Sequence, residues 1–160
     1  MGSGKTTIGR RLAKVYHKTF HDSDREIEKR TGATVSLIFE IEGEAGFRRR
    51  ERQAIADLTE LKNIVLATGG GAVIDPGNRV CLKERGSVIY LRTPIERLVA
   101  RTRLDRGRPL LQTADPAQRL KALVMERDPL YCEVADIIID TDDQTVRQVV
   151  EEITSLWKKG

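Results

Sequence analysis

Apolar residues recur at helical spacing at the front of the chain. Ile8, Leu12 and Val15/Tyr16 predict an amphipathic helix over about 5–16. A short strand over 19–21 follows and ends in Asp22-Ser23-Asp24. Ser23 with Glu26 three residues on predicts a capping box for a helix that stops at Gly32. A short helix over 35–41 and a longer one over 43–61 come next, the latter with Phe47, Ile55 and Leu58 on its apolar side. Residues 63–67 form a nearly continuous apolar run, the pattern of a strand buried on both faces. It empties into Thr68-Gly69-Gly70-Gly71. The pattern continues with a helix from Pro76 to Gly86, a buried strand over 87–91 and a helix opened by Pro94. Residues 102–113 are polar and aperiodic, which predicts a mobile loop. A helix over 116–127, a strand over 136–140 and a final helix capped by Asp143 complete the chain. The last helix turns Val146, Val149/Val150, Ile153 and Trp157 to one side.

Strand and helix alternate throughout, which predicts a layered α/β domain with a parallel sheet over residues 1–160. No repeat and no linker interrupts it. Four strands are visible and none precedes the glycine-rich start. A phosphate-binding loop belongs to a strand–loop–helix unit. The expectation is therefore that about five or six further strand residues, the usual strand length, belong ahead of Met1.

Composition narrows the function classes. Hydrophobic content of 39% with 32% charged residues describes a soluble globular chain. The net charge of +4 is modest, and aromatic residues are scarce at 4%, so a base-stacking nucleic-acid surface is not expected. No apolar run is long enough for a membrane span. Cys81 and Cys132 stand far apart in no metal or redox spacing, which fits a reducing cytoplasm.

The candidate chemistry begins at Met1-Gly2-Ser3-Gly4-Lys5-Thr6-Thr7, the second half of a P-loop. Gly2 and Gly4 can turn successive N–H groups toward one centre, and a helix starting near Lys5 adds its N-terminal N–H groups. Lys5 can reach the terminal phosphates of a nucleotide, and the Thr6 hydroxyl suits Mg²⁺. The first glycine of the pattern falls ahead of the chain. Asp22 and Asp24 fit either helix-start acids favouring the dipole, or carboxylates that serve Mg²⁺-bound water and a substrate hydroxyl. The neighbouring P-loop favours the second. Three glycines after a buried strand imply a close approach to the backbone, which a passing ligand or phosphate would explain. Among the arginines, Arg48, Arg108 and Arg127 suit carboxylate or phosphate recognition. Arg49, Arg50 and Arg52 read as a solvated helix face, and any of Arg101, Arg103 and Arg106 can help hold nucleotide. His17 and His21 show no catalytic pattern.

Taken together these pieces resemble the shikimate kinases. The resemblance rests on Gly2-Ser3-Gly4-Lys5-Thr6-Thr7-Ile8-Gly9-Arg10, Asp22-Ser23-Asp24, Gly46-Phe47-Arg48 with Glu51, Thr68-Gly69-Gly70-Gly71, Arg108-Pro109-Leu110-Leu111, and Arg127 with Pro129-Leu130-Tyr131. It implies a three-layer α/β/α P-loop kinase fold of the nucleoside monophosphate kinase type. The family's parallel sheet has five strands, the central first one absent from this chain. It implies ATP-dependent phosphorylation of the 3-hydroxyl of shikimate, with a lid at about 102–113 and a substrate-binding helical region at about 23–52.

By that resemblance Gly2, Ser3, Gly4, Lys5, Thr6 and Thr7 cradle ATP. Thr6 binds Mg²⁺ and Asp22 holds the metal through water. Asp24 contacts shikimate hydroxyls with Gly70 and steers or accepts the attacking proton. Arg48 and Arg127 clamp the shikimate carboxylate, Arg108 touches the phosphates beside Lys5, and Gln144 lines the adenine side. A monomer is the expected state. The alternatives are another small-molecule kinase, such as gluconate kinase, or a nucleotide-binding remnant with impaired turnover.

Overall fold

Helices and parallel strands alternate as the apolar pattern predicts. The computed structural model describes residues 2–102 and 109–157. The first part runs α1 (Lys5–Val15), β1 (Thr19–Asp22), α2 (Ser23–Thr31), α3 (Val35–Leu58) and β2 (Ile64–Ala67). After the glycine turn come α4 (Pro76–Arg85), β3 (Ile89–Arg92) and α5 (Ile95–Thr102). The chain closes with α6 (Pro116–Val134), β4 (Ile137–Asp140) and α7 (Val146–Trp157).

Local chemistry sets most of the boundaries, in places differently from expectation. The cap of α2 is Asp22, whose carboxylate accepts from the N–H groups of Asp24 and Arg25. Ser23 is instead fully buried, and its hydroxyl accepts from the Gly69 N–H at 3.1 Å. The two helices expected around residue 43 do meet there, at Gly43, which takes a φ of 69° inside α3. The final helix is capped by Thr145 rather than Asp143. The Thr145 hydroxyl accepts from the Gln148 N–H, and the Gln148 side chain accepts from the Thr145 N–H, a reciprocal box. Asp143 pairs with Arg97 instead.

The largest revision concerns α6. It does not end at Arg127 but continues through Pro129 to Val134. Proline removes one helical N–H bond. The loss is tolerated here because Leu120, Leu123, Arg127 and Val134 bury one side of the helix along its whole length. Arg127 and Tyr131, four residues apart, therefore share a face.

The strands form two parallel pairs. β1 pairs with β2 in the register Thr19↔Ile64 to Asp22↔Ala67, and β3 pairs with β4 from Ile89↔Ile137 to Arg92↔Asp140. β2 and β3 do not pair, so the expected single sheet is split. Their facing edges border an apolar cavity of about 520 Å³, reached by Ile8 and Leu12 of α1, Val65 of β2 and Leu91 of β3. Residues 64–66 are consequently half-buried rather than enclosed on both faces.

On one side, Ile8 and Leu12 pack with Ile139, Val149, Val150 and Ile153, joining α1 and α7 to β4. A second cluster, Ile27, Ile38, Phe47 and Ala54, holds α2 against α3. Leu98, Leu111, Leu120 and Leu123 tie α5 to α6. Each group is an apolar stripe removed from water, worth about 25 cal/mol per Å² buried. All the strands run parallel, so their C-terminal ends lie at one edge, where open α/β sheets bind ligands.

Gly9 is where α1 lies closest to β1. A Cβ there would sit 2.7 Å from the Phe20 ring. Alanine is favoured over glycine in a helix by about 1 kcal/mol, yet overpacking costs about 1–3 kcal/mol. Gly9→Ala is expected to lower the melting temperature, and Gly9→Ala with Phe20→Leu to recover part of the loss. Equal or higher melting of the single variant would show that Phe20 gives way freely.

Candidate active site

Segments from along the whole chain converge on a cavity of about 420 Å³ at the strand ends. The first is the loop before α1. Gly2 and Gly4 both take positive φ, 69° and 85°, and Gly4 caps the helix with its carbonyl accepting from Ile8 N–H at 2.9 Å. Helix-start N–H groups thus face the cavity with Lys5, Thr6 and Thr7 on its wall. Ser3, expected with them, is buried and borders the other cavity, the one between β2 and β3.

The end of β1 supplies the second segment. The Thr6 hydroxyl donates to an Asp22 carboxylate oxygen at 3.2 Å, which brings the two expected metal-site residues together. Asp24 lies two residues further on, in the first turn of α2. One of its oxygens is buried with no hydrogen-bond partner among the described residues. Burial pushes the Asp24 carboxyl above its ordinary value, the Asp22 charge adds to this, and Lys5 works against it.

The third wall is α3, and it contains a residue to which the sequence pattern assigns no role. Glu51 is 1% exposed, and Arg48 donates to it at 2.6 Å. Arg48 also donates to Glu44 at 3.0 Å. Burial pushes the Glu51 carboxyl up while Arg48 pulls it down. The spacing of Glu51 three residues after Arg48 is the signal that sequence alone offers for this pair. Arg50 and Arg52, as expected, face outward and pair with Glu42 and Asp75.

The glycine turn is the fourth segment, and its close approach comes from inside the protein. A Cβ on Gly69 would lie 2.9 Å from an Asp24 oxygen and 3.0 Å from a Glu51 oxygen. A Cβ on Gly71 would overlap the Arg48 guanidinium outright. Bare backbone at these two positions makes room for the site's own charged groups. The expected explanation, a ligand passing over the turn, is not needed to account for either. Gly70 lies between them on the cavity wall, and its carbonyl accepts from the Tyr131 hydroxyl.

Arg127 reaches the same cavity from α6. It is 4% exposed, and its Nε has no hydrogen-bond partner among the described residues. Other expected contributors fall elsewhere. Arg108, Arg103 and Arg106 lie outside the described residues, as does half of the expected lid; Pro109 and Leu110 of its other half line the cavity. Arg101 donates to the Gly2 carbonyl at 2.9 Å and so braces the loop. The Gln144 amide donates to Glu152 at 2.8 Å, and Gln144 is not on the wall of the main cavity. Among the described residues no group of three or more His, Cys, Asp or Glu side chains suits a metal ion. Any cation here must draw on a hydroxyl and on ligand oxygens as well.

Comparison with known proteins settles the family. The profile named Shikimate kinase matches residues 1–158. The chain belongs to the shikimate kinase family. A shikimate kinase of Nitrosococcus oceani is 60% identical over 153 residues, covering 96% of this chain and 80% of that protein. One from Thiobacillus denitrificans is 61% identical over 146 residues, with coverages of 91% and 80%. Among solved structures, the shikimate kinase of Acinetobacter baumannii in complex with shikimate superposes with a TM-score of 0.97 at 50% identity. That match covers 99% of this chain and 89% of the other. The Aquifex aeolicus enzyme gives 0.86 at 35% identity, with coverages of 99% and 92%. The P-loop kinase architecture of the family is therefore this chain's, with the strand pairs split as described.

The raised Asp24 carboxyl has a consequence for stability. Its folded-state proton is held more tightly than the unfolded chain holds it. The penalty for the buried charge is therefore complete above the folded-state value and fades as pH falls toward the ordinary carboxylate range. In ligand-free protein, Asp24→Asn is expected to raise the melting temperature at pH 8 and to raise it less at pH 4.5. Thermal melts at both pH values check this; a gain that grows on acidification would contradict it.

Proposed function

We propose that this chain transfers the γ-phosphoryl group of ATP to the 3-hydroxyl of shikimate, giving shikimate 3-phosphate and ADP. One observation carries the reading. A phosphate-binding helix start and a buried arginine with an unmet donor open onto a single cavity, with Asp24, one of whose oxygens is buried without a partner among the described residues, on the wall they share. An Arg127 sealed at 4% exposure gains most from a ligand carboxylate that arrives with paired acceptors.

In this reading Lys5, the N–H groups at the start of α1, and Thr7 bind the phosphates. Arg48 and Arg127 hold the shikimate carboxylate, and Gly70 lines the ring. Asp24 orients the 3-hydroxyl and takes its proton as the new oxygen–phosphorus bond forms and the bond to ADP breaks. A carboxyl pushed upward by burial is a better acceptor than an ordinary one. Phosphoryl transfer otherwise depends on position and charge. Arg108 and Gln144 are assigned to the phosphates and the adenine side by family resemblance. The adjacent oxygens of Thr6 and Asp22 suit Mg²⁺, a hard cation that keeps several waters, and would hold it there with Asp22 acting through water. Bound, it would supply positive charge against the phosphates.

The chain is taken to act as a monomer in the cytoplasm. The most exposed large apolar residues, Ile41, Met125 and Val80, sit on three different helices, and Cys81 and Cys132 are free thiols. Among the described residues no helix is long and apolar enough to cross a membrane.

Steady-state assays with ATP and a panel of acceptors test the reading. Turnover of shikimate is expected; turnover of gluconate with none of shikimate would overturn the substrate assignment. ATP binding without turnover of any acceptor would leave only a nucleotide-binding protein. Lys5→Ala is expected to abolish transfer with little change in melting temperature. Arg127→Ala is expected to raise KM for shikimate far more than KM for ATP. Equal effects on both would remove Arg127 from the carboxylate clamp.

A further inference from the structure

The continuation of α6 beyond Arg127 brings a second side chain to the glycine turn, from the side of the cavity between β2 and β3. Tyr131 follows Arg127 by four residues, on the same face of the helix. Its hydroxyl donates to the Gly70 carbonyl, the middle peptide of the glycine turn. Its ring lies 4.8 Å from that of Tyr90 on β3, tilted by 34°. The Tyr90 hydroxyl in turn donates to Asp128 at 2.7 Å, so the ring pair is tied to α6 at two points. Burial pushes the Tyr131 hydroxyl's proton affinity up, and the nearby Arg127 guanidinium is the main group working against that rise. The side chain is thus a neutral donor at any physiological pH.

The peptide that Tyr131 grips is the one the substrate would meet. A peptide unit is planar and trans, so the Gly71 N–H points opposite the Gly70 carbonyl. Holding the carbonyl toward Tyr131 turns that N–H away from α6 and fixes both faces of the unit. A run of three glycines has more backbone freedom than any other sequence. Gly69 and Gly71 are confined by Asp24, Glu51 and Arg48, as the close approaches show. Gly70 between them is held through its carbonyl, which accepts from the Tyr131 hydroxyl.

We propose that Tyr131 is a positioning residue for substrate binding: its hydroxyl locks the Gly70 peptide in the orientation in which Gly70 lines the substrate beside Arg127. The inference rests on the shikimate kinase reading above. It adds a group that touches neither substrate nor nucleotide but sets the backbone that does. Without the hydroxyl the turn samples other orientations, and binding must select the competent one, which weakens apparent affinity by the fraction populated.

The test is Tyr131→Phe in the full chain, which keeps the ring against Tyr90 and deletes only the hydroxyl. Tyr90→Phe is the control, since it removes the bond to Asp128 and leaves the Gly70 contact intact. Calorimetric Kd values for shikimate and for ATP are measured with steady-state kinetics and melting curves. Loss of one hydrogen bond predicts roughly a three- to tenfold weaker Kd and higher KM for shikimate. ATP affinity should hold within about twofold, and kcat should change far less than KM. Tyr90→Phe should leave the shikimate Kd within about twofold.

Unchanged shikimate affinity in Tyr131→Phe would overturn the proposal. So would equal weakening of shikimate and ATP, or an equal effect of Tyr90→Phe, each of which marks a purely structural role. Failure of the unsubstituted chain to bind shikimate at all would instead sink the functional reading on which the proposal rests.

Discussion

A buried carboxylate beneath an arginine is the constraint around which the site is organised. Glu51 sits at 1% exposure inside α3, and such a charge is tolerable only with a partner pressed against it. Arg48 supplies the charge at 2.6 Å. The pair demands space, and the turn after β2 yields it by dispensing with side chains at Gly69 and Gly71. Removing one member of a buried pair typically costs about 3–5 kcal/mol, a large share of the 5–15 kcal/mol that holds a domain together. Glycine turn, arginine and glutamate are therefore one unit, and Asp24 is the fourth member because it shares the space over Gly69.

This arrangement explains why the two carboxyls near the cavity are both pushed upward although arginines stand close by. Burial dominates each of them; the Asp22 charge adds to the rise at Asp24, and the Asp24 charge adds to the rise at Glu51. The same crowding that costs stability makes Asp24 a stronger proton acceptor. This locally unfavourable arrangement is held by the packing of α2 on α3 and by the capping bonds from Asp22. Helix α6 closes the opposite side. Because it runs through Pro129, it delivers a buried guanidinium to the cavity and, one turn on, a phenol to the glycine turn on the cavity's wall.

Much of this was legible in the residues alone. The family resemblance of six short motifs, taken in order, implied the meeting of Thr6 with Asp22 and the convergence of Arg48, Gly70 and Arg127. The alternation of elements, the helix start at Lys5 and the kink at Gly43 follow from local chemistry. Each is encoded within a few positions: glycines that permit positive φ, an acid that caps a helix, an apolar stripe with a period of 3.6. Errors arose where two local signals competed. Ser23 and Asp22 can both cap α2, and burial of Ser23 against Gly69 decided it. Asp143 and Thr145 compete at α7, where Arg97 claims the first and Gln148 the second. Proline at 129 signalled a stop that packing overrode.

The sequence by itself determined the fold class, the phosphate-binding loop, the acid pair and the identity of the charged residues that gather around the cavity. Only the tertiary structure decided what those groups touch: that Gly69 and Gly71 make room for Arg48, Asp24 and Glu51, that Ser3 turns to the other cavity, that Gln144 binds Glu152, and that the strands pair two by two. The physical reason is distance along the chain. Caps, periodicities and turns act over three or four residues. The contact between Gly69 and Ser23 spans 46 positions, and that between Tyr131 and Gly70 spans 61. Such approaches are settled by the packing of whole elements against one another, which local patterns do not encode.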